Sequence, residues 1–228
     1  MKLSIILPAF NEASGIAATL TALQPLRAAG HELIVVDGGS SDATALLASV
    51  DADQVITSRR GRALQMNAGA AAASGDALLF LHADTRLPQQ ADSLIQNALQ
   101  DSLWGRFDVE ISGRPAMLRV VASLMNRRSR LTGIATGDQA MFMTCAAFAD
   151  AGGYPEQPLM EDIELSKRLK RLGSPACLHQ RVVTSGRRWE QHGVWRTILL
   201  MWRLRFDYWR GVPAEQLAAR YHPHAPRK

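Results

Sequence analysis

The sequence predicts an α/β fold built on a mostly parallel central sheet, and three observations carry that expectation. Short all-apolar runs alternate with helical stretches through the first half. Two of those runs stop abruptly at acids: Leu33-Ile34-Val35-Val36 at Asp37, inside VVDGGSSD, and Ala77-Leu78-Leu79-Phe80-Leu81 at His82-Ala83-Asp84. A further acid pair, Glu161-Asp162, opens a helix downstream. A strand buried on both faces of a parallel sheet reads as a continuous apolar run. Ligands in open α/β sheets bind just beyond the carboxyl ends of such strands. The acids therefore stand where a nucleotide and a metal are expected.

The elements follow in order. Leu3 to Leu7 is the first strand, and Pro8-Ala9-Phe10-Asn11-Glu12 a loop. Ser14 is the expected cap of a helix to about Ala29, closed by Gly30. After the strand Leu33 to Val36, Gly38-Gly39-Ser40-Ser41 turns the chain into a helix near Asp42, which caps it. Gln54 to Thr57 is a short strand, Gly61 to Ala73 a helix, Ala77 to Leu81 a strand, and about Gln89 to Leu99 a helix. This βαβα order implies right-handed crossovers between parallel strands. The second half is less regular: a strand at Phe107 to Ile111, a helix at Pro115 to Arg127, a strand at Ala140 to Thr144, and an amphipathic helix at Asp162 to Leu172 ended by Gly173. The tail from Pro213 is polar and is expected to fray from about Tyr221.

At 228 residues, with 47% hydrophobic and 21% charged residues, the chain has the makings of one full core. A net charge of +5 favours anionic partners: phosphates, anionic lipid or nucleic acid. The aromatics lie mainly in one C-terminal helix and not on a basic sheet face, so nucleic acid is not expected. Cys145 and Cys177 have neither CxxC spacing nor a histidine cluster, which argues against zinc and for free thiols. The apolar start is too short for a signal core, and no run reaches the ~18 residues of a membrane span, so a cytoplasmic protein is expected.

His192 to Val212 reads as a helix carrying Trp195, Ile198, Leu199, Trp202, Phe206 and Trp209 on one face, with Arg196, Arg203 and Arg210 as an adjacent basic stripe. Tryptophan and arginine together suit an anionic membrane surface; docking on the core or on a partner subunit is the alternative. The chain thus divides into residues 1–190 and a helical extension, 191–228.

The residues beside the predicted strand ends suggest their chemistry. Asp84 can ligate a divalent cation, Mg2+ or Mn2+, which prefer oxygen donors from one or two carboxylates plus substrate phosphates. His82 could add a nitrogen ligand; a structural hydrogen bond is the alternative. Asp37, before Gly-Gly, suits contact with a nucleotide or, more simply, a turn. Arg59-Arg60-Gly61-Arg62 puts cations at a helix start that already favours anions, with Arg62 just inside. Gln65 and Met66 are expected to pack. Glu161-Asp162 can act as a general base or as capping acids. Gly137-Asp138-Gln139 can line an acceptor site or form a turn.

In order, PAFNE, VVDGGSSD, LHADT, Glu161-Asp162 and Arg188-Trp189 resemble the motifs of family 2 glycosyltransferases of the GT-A fold, over about residues 3–190. RGRALQMNAGAAAASGDALLFLHADT also resembles a small bacterial subgroup labelled selenodomain-associated transferase. The resemblance implies a GT-A fold and an inverting, metal-dependent transfer of sugar from a nucleotide-diphosphate sugar, with UDP expected, to an acceptor that a lipid could carry. It implies that Pro8, Asn11 and Glu12 contact the nucleotide, that Asp37 reads the base, and that Arg62 and Asn67 face base and phosphates. Asp84 would be the second acid of the DxD motif, Asp162 the base, and Arg188-Trp189 the end of QxxRW. Three positions depart from the pattern: Gly38 follows Asp37 where a second acid is common, His82 replaces the first DxD acid, and Ser185 stands in the QxxRW glutamine's place. The rival readings are a nucleotidyltransferase, which lacks a Gly-rich phosphate loop with its lysine here, and a non-catalytic nucleotide- or lipid-binding module.

Overall fold

Eight strands join into one sheet in the computed structural model, which describes residues 1–221. They are β1 (Leu3–Ala9), β2 (Glu32–Asp37), β3 (Gln54–Thr57), β4 (Ala77–Phe80), β5 (Thr85–Arg86), β6 (Trp104–Ser112), β7 (Phe142–Thr144) and β8 (Ala176–Ser185), in the spatial order β3-β2-β1-β4-β7-β6-β8-β5. β1 pairs in parallel with β2 and β4, β2 with β3, and β6 with β8. β7 is antiparallel to β4 and β6, and β5 to β8. The helices are α1 (Ile16–Ala28), α2 (Thr44–Asp51), α3 (Arg62–Ala72), α4 (Ala91–Asp101), α5 (Met117–Thr132), α6 (Cys145–Asp150), α7 (Glu161–Leu172), α8 (Arg187–His192), α9 (Val194–Trp209) and α10 (Ala214–Tyr221).

The continuous apolar strands serve two cores at once. Successive side chains leave a strand on opposite faces. Ile5 and Leu7 therefore join Leu20, Leu33, Leu79 and Phe142 on one side of the sheet. Ile6 joins Ile34, Val36, Met66, Phe80 and Leu165 on the other. Each such side chain, once fully buried, contributes about 1.5–3 kcal/mol. The parallel α/β half expected for residues 3–101 is present.

Several local expectations shift. Ser14 does not cap α1: the helix starts at Ile16 after Gly15, which supplies no side-chain cap. Asp42 accepts hydrogen bonds from the Thr44 and Ala13 amides (3.0 and 3.2 Å), a structural role. α5 runs past Arg127 to Thr132 and closes on Gly133 at φ 66°. β8 is absent from the sequence reading because its middle, from His179 to Arg181, is exposed, so no apolar run announces it. α10 replaces the expected polar tail, with Ala214 and Leu217 buried. The fraying expected from about Tyr221 lies almost wholly outside the described residues. Both cysteines are free thiols.

α9 is apolar on two sides. Leu204 is buried with Met160, Ile163 and Leu217, so the helix docks on α7 and α10. Ile198 packs against the first core, not on the outer stripe. Trp195, Leu199, Trp202, Phe206 and Trp209 remain exposed. No helix among the described residues is long and apolar enough to cross a membrane.

Candidate active site

At the carboxyl end of β2, Asp37 is buried and saturated by its own loop. Its Oδ2 accepts from the amides of Gly39 and Ser40 (3.0 and 2.9 Å), and its Oδ1 from the Ser40 hydroxyl. Asn11 locks this loop to the end of β1: its amide donates to Ser40 Oγ (2.9 Å), and its Oδ1 accepts from the Ser41 amide (2.9 Å). Pro8 lies half-buried on β1 opposite Val36. The Glu12 amide donates to Thr44 Oγ1 at 2.8 Å, while its carboxylate pairs with Arg187 at 3.2 Å. Gln65 reaches up from α3 and donates to the carbonyls of Ala9 and Val36, both at 2.8 Å. That contact accounts for Gly38: a Cβ there would come within 3.1 Å of the Gln65 amide, leaving little room for a second acid.

Across the cleft, the start of α7 presents the acid pair. Asp162 Oδ2 accepts from the Gly137 amide (2.9 Å) and Oδ1 from the Ile163 amide (2.7 Å). His82 Nδ1 meets Asp138 Oδ1 at 3.2 Å. Arg62, at the start of α3, is exposed yet lies within the field of all three carboxylates. Crowding works to lower its pKa, but Glu161, then Tyr221, Asp138 and Asp162, outweigh it, and the net shift is upward. Burial, and then the Asp162 charge, push Glu161 up to about 7, with Arg62 opposing. Burial also raises Asp162 against its two amide hydrogen bonds. Burial works to raise Asp138 too, but the His82 contact and the charges of His82, Arg62 and Arg188 bring it below the usual carboxylate range. Asp138 keeps 45% of its side-chain surface, so the cleft is crowded but open. Three non-glycine residues beside it hold left-handed backbone: Asn11 (φ 54°), Ala140 (46°) and Met160 (65°). Such strain collects in loops that the surroundings over-determine.

α10 borders the cleft through Tyr221. Arg188 Nη2 donates to the Tyr221 carbonyl at 3.1 Å, and its guanidinium stacks on the Tyr221 ring at 3.7 Å. The phenol lies in the field of Arg62, Arg188, Asp138 and Asp162. Nothing in the polar tail marked this role; the one available signal was an aromatic in register with Ala214 and Leu217. Tyr154 was also missed. Its phenol is buried near the acid pair, and burial, then Asp162 and Glu161, push its pKa well upward, so it stays protonated.

Three expected residues are not brought here. Asn67 spends its amide on the backbone of Tyr154 (2.8 and 2.9 Å), because five positions along α3 turn it away from Arg62. Gln139 is fully buried; it accepts from the Thr136 amide (3.2 Å) and donates to Asn126 Oδ1 (3.4 Å). Trp189 packs on the first core.

Asp84 is exposed, and its carboxylate makes no hydrogen bond or ion pair among the described residues, so both oxygens can serve a divalent cation. His82 does not fit as a ligand: Nδ1 is engaged by Asp138, and Nε2 lies so near Gly137 that a Cβ there would sit 2.5 Å away. The described residues contain no cluster of three metal-ligating side chains, so any cation here would draw the rest of its shell from substrate phosphates and water.

Solved structures share this architecture. A mannosyltransferase from Pyrobaculum calidifontis, in complex with GDP-Man and Mn2+, is 21% identical with a TM-score of 0.61, over 80% of this chain and 56% of that one. Residues 1–349 of TarS from S. aureus, in complex with UDP, give 17% identity and a TM-score of 0.63, over 81% of this chain and 60% of theirs. Glucosyl-3-phosphoglycerate synthase from Mycobacterium tuberculosis, in complex with Mn2+, UDP and glucosyl-3-phosphoglycerate, gives 20% and 0.55, over 79% and 70%. At these identities the likeness is one of fold, and the chain spans little more than half the length of the first two. No curated protein matches the sequence. The family model "Glycosyl transferase family 2" matches residues 4–149, most of the chain and all of the strand-end motifs up to β7. The chain belongs to glycosyl transferase family 2.

Proposed function

We propose that the protein transfers a sugar, with inversion, from a UDP-sugar to a hydroxyl acceptor. One observation carries this reading: Arg62 faces Glu161, Asp138 and Asp162 across a cleft at the strand ends. A cation suited to the donor's diphosphate thus stands opposite a carboxylate with a raised pKa, suited to take a proton. Support for a nucleotide-sugar donor comes from the neighbours, solved with UDP or GDP-Man.

In this reading the base sits over the loop that Asp37 and Asn11 organise, beside Pro8 and Glu12. Arg62 and Arg188 face the diphosphate. Asp162, held by the Gly137 amide, takes the acceptor's proton as its oxygen attacks the anomeric carbon from the side away from the diphosphate. The new C–O bond forms as the bond to the diphosphate breaks, and nucleoside diphosphate leaves. Glu161, near half-protonation at neutral pH, spares the pair a second buried charge. Asp84 would hold a divalent cation, Mg2+ or Mn2+, which when bound neutralises charge developing on the leaving diphosphate. Residues 1–190 carry this chemistry. Residues 191–221 add Tyr221 and the exposed Trp–Arg face of α9, which we assign to an anionic membrane surface on the cytoplasmic side.

The test is Asp162→Asn, assayed with a panel of UDP-sugars and Mn2+. The substitution should abolish UDP release while leaving UDP affinity within about threefold. Full activity in this variant would remove Asp162 as the base.

A further inference from the structure

Where α5 crosses β6, Arg106 and Arg130 grip one carboxylate, Asp108, and a third arginine, Arg128, lies in the field of Arg106. Arg106 is fully buried; its Nη1 bonds to Asp108 Oδ1 and its Nη2 donates to the Asn126 carbonyl at 3.3 Å. Arg130 takes the other Asp108 oxygen at 2.7 Å. The Arg128 guanidinium makes no hydrogen bond or ion pair among the described residues. Its Nε and Nη2 are buried without a partner, as are Arg106 Nε and the neighbouring Ser129 Oγ. Buried polar groups are almost always satisfied, so orphan donors gathered in one place need an explanation.

The charges agree with the geometry. Burial, and then repulsion from Arg106, weaken the Arg128 cation, and the carboxylate acting against them is Asp162. The same end of α5 meets the turn that holds Asp162: Gln139 donates to Asn126 Oδ1 at 3.4 Å, and the Gly137 amide donates to Asp162 at 2.9 Å. Arg128 stands on α5, whereas Arg62 and Arg188 stand on α3 and α8. Every orphan is a donor, and guanidinium forks match the paired oxygens of carboxylate and phosphate.

We propose that Arg128, backed by Arg106, binds an anionic group, phosphate or carboxylate, borne by the acceptor beside the hydroxyl that Asp162 deprotonates. This deepens the transferase reading and rests on it. The protein would select a phosphorylated or carboxylated acceptor, either soluble or a lipid headgroup.

The experiment titrates glycerol 3-phosphate, and glycerate as its carboxylate counterpart, into the full chain saturated with UDP and Mn2+, followed calorimetrically, with glycerol as the neutral control. A second arm uses vesicles containing phosphatidic acid. Wild type should bind one of the anions at least tenfold more tightly than glycerol. Arg128→Gln should lose that preference and Arg128→Lys keep part of it, with UDP affinity and melting temperature unchanged in both. A preference seen in solution marks a soluble acceptor; one seen only on vesicles and lost in Arg128→Gln marks a headgroup. Equal binding by wild type and Arg128→Gln in both arms overturns the proposal. If UDP fails to bind while Arg128-dependent anion binding persists, the anion site stands and the transferase reading falls.

Discussion

The Gly137 amide holds Asp162 Oδ2 at 2.9 Å, and the α-carbon of the same glycine lies against the imidazole of His82. One residue without a side chain thus sets both Asp162, the proposed base, and the histidine–Asp138 contact. Gly137→Ala would place a methyl 2.5 Å from His82 Nε2, so the ring or the turn must move. Transfer should fall by about 10–100-fold, since small misplacements of reacting groups carry that scale of loss. UDP binding, measured calorimetrically, should hold.

Glu161, 6% exposed, has a pKa of about 7 in the fold against 4.5 when free. The folded state therefore binds more protons than the unfolded chain between those values, and stability falls as pH rises through the window. Glu161→Gln removes the penalty. Urea unfolding should show the variant gaining on wild type from about pH 4.5 to 7 and level above, by on the order of 3 kcal/mol. A gain independent of pH would point to packing instead.

Asp84→Asn should raise the Mn2+ concentration needed for half-maximal transfer by at least tenfold, because it removes a carboxylate after β4 that has no hydrogen bond or ion pair among the described residues. His82→Asn should leave that metal dependence near wild type while altering the pH profile through Asp138. Metal titration of both variants separates the two roles.

Trp202 and Trp209 are 67% and 79% exposed on a helix whose other side is docked. Replacing both with Glu should abolish co-sedimentation with anionic vesicles and leave the melting temperature within a few degrees, because neither ring supports the core. Retained sedimentation would place the membrane contact elsewhere.

Much of this was readable in the residues because backbone burial leaves a plain mark. β1, β2 and β4 carry unbroken apolar runs, Ile5 to Leu7, Leu33 to Val36 and Ala77 to Phe80, since both faces are covered, and Asp37 sits at the strand end where chain direction alone would put it. β8 left no such mark, because its exposed middle breaks the run. The candidate site was legible at Arg62, Asp138 and Asp162, where charge and helix starts coincide. It was misleading at Asn67, Gln139 and Trp189, whose polar or aromatic groups turned out to serve the backbone or the core. Tyr221 left only its register with Ala214 and Leu217 as a local signal; its place over Arg188 depends on α10 docking beside α9, a tertiary event.

That docking bears on how the folded protein comes into being. A chain made as far as α8 already has the strands, the acid pair and Arg188, yet it lacks the tyrosine that closes over them. The cleft is finished by the contact of Arg188 with Tyr221, 33 residues on, which forms only once α10 has docked beside α9. Acquisition of activity during refolding should therefore lag behind formation of the sheet, as two phases separable by stopped-flow fluorescence and turnover.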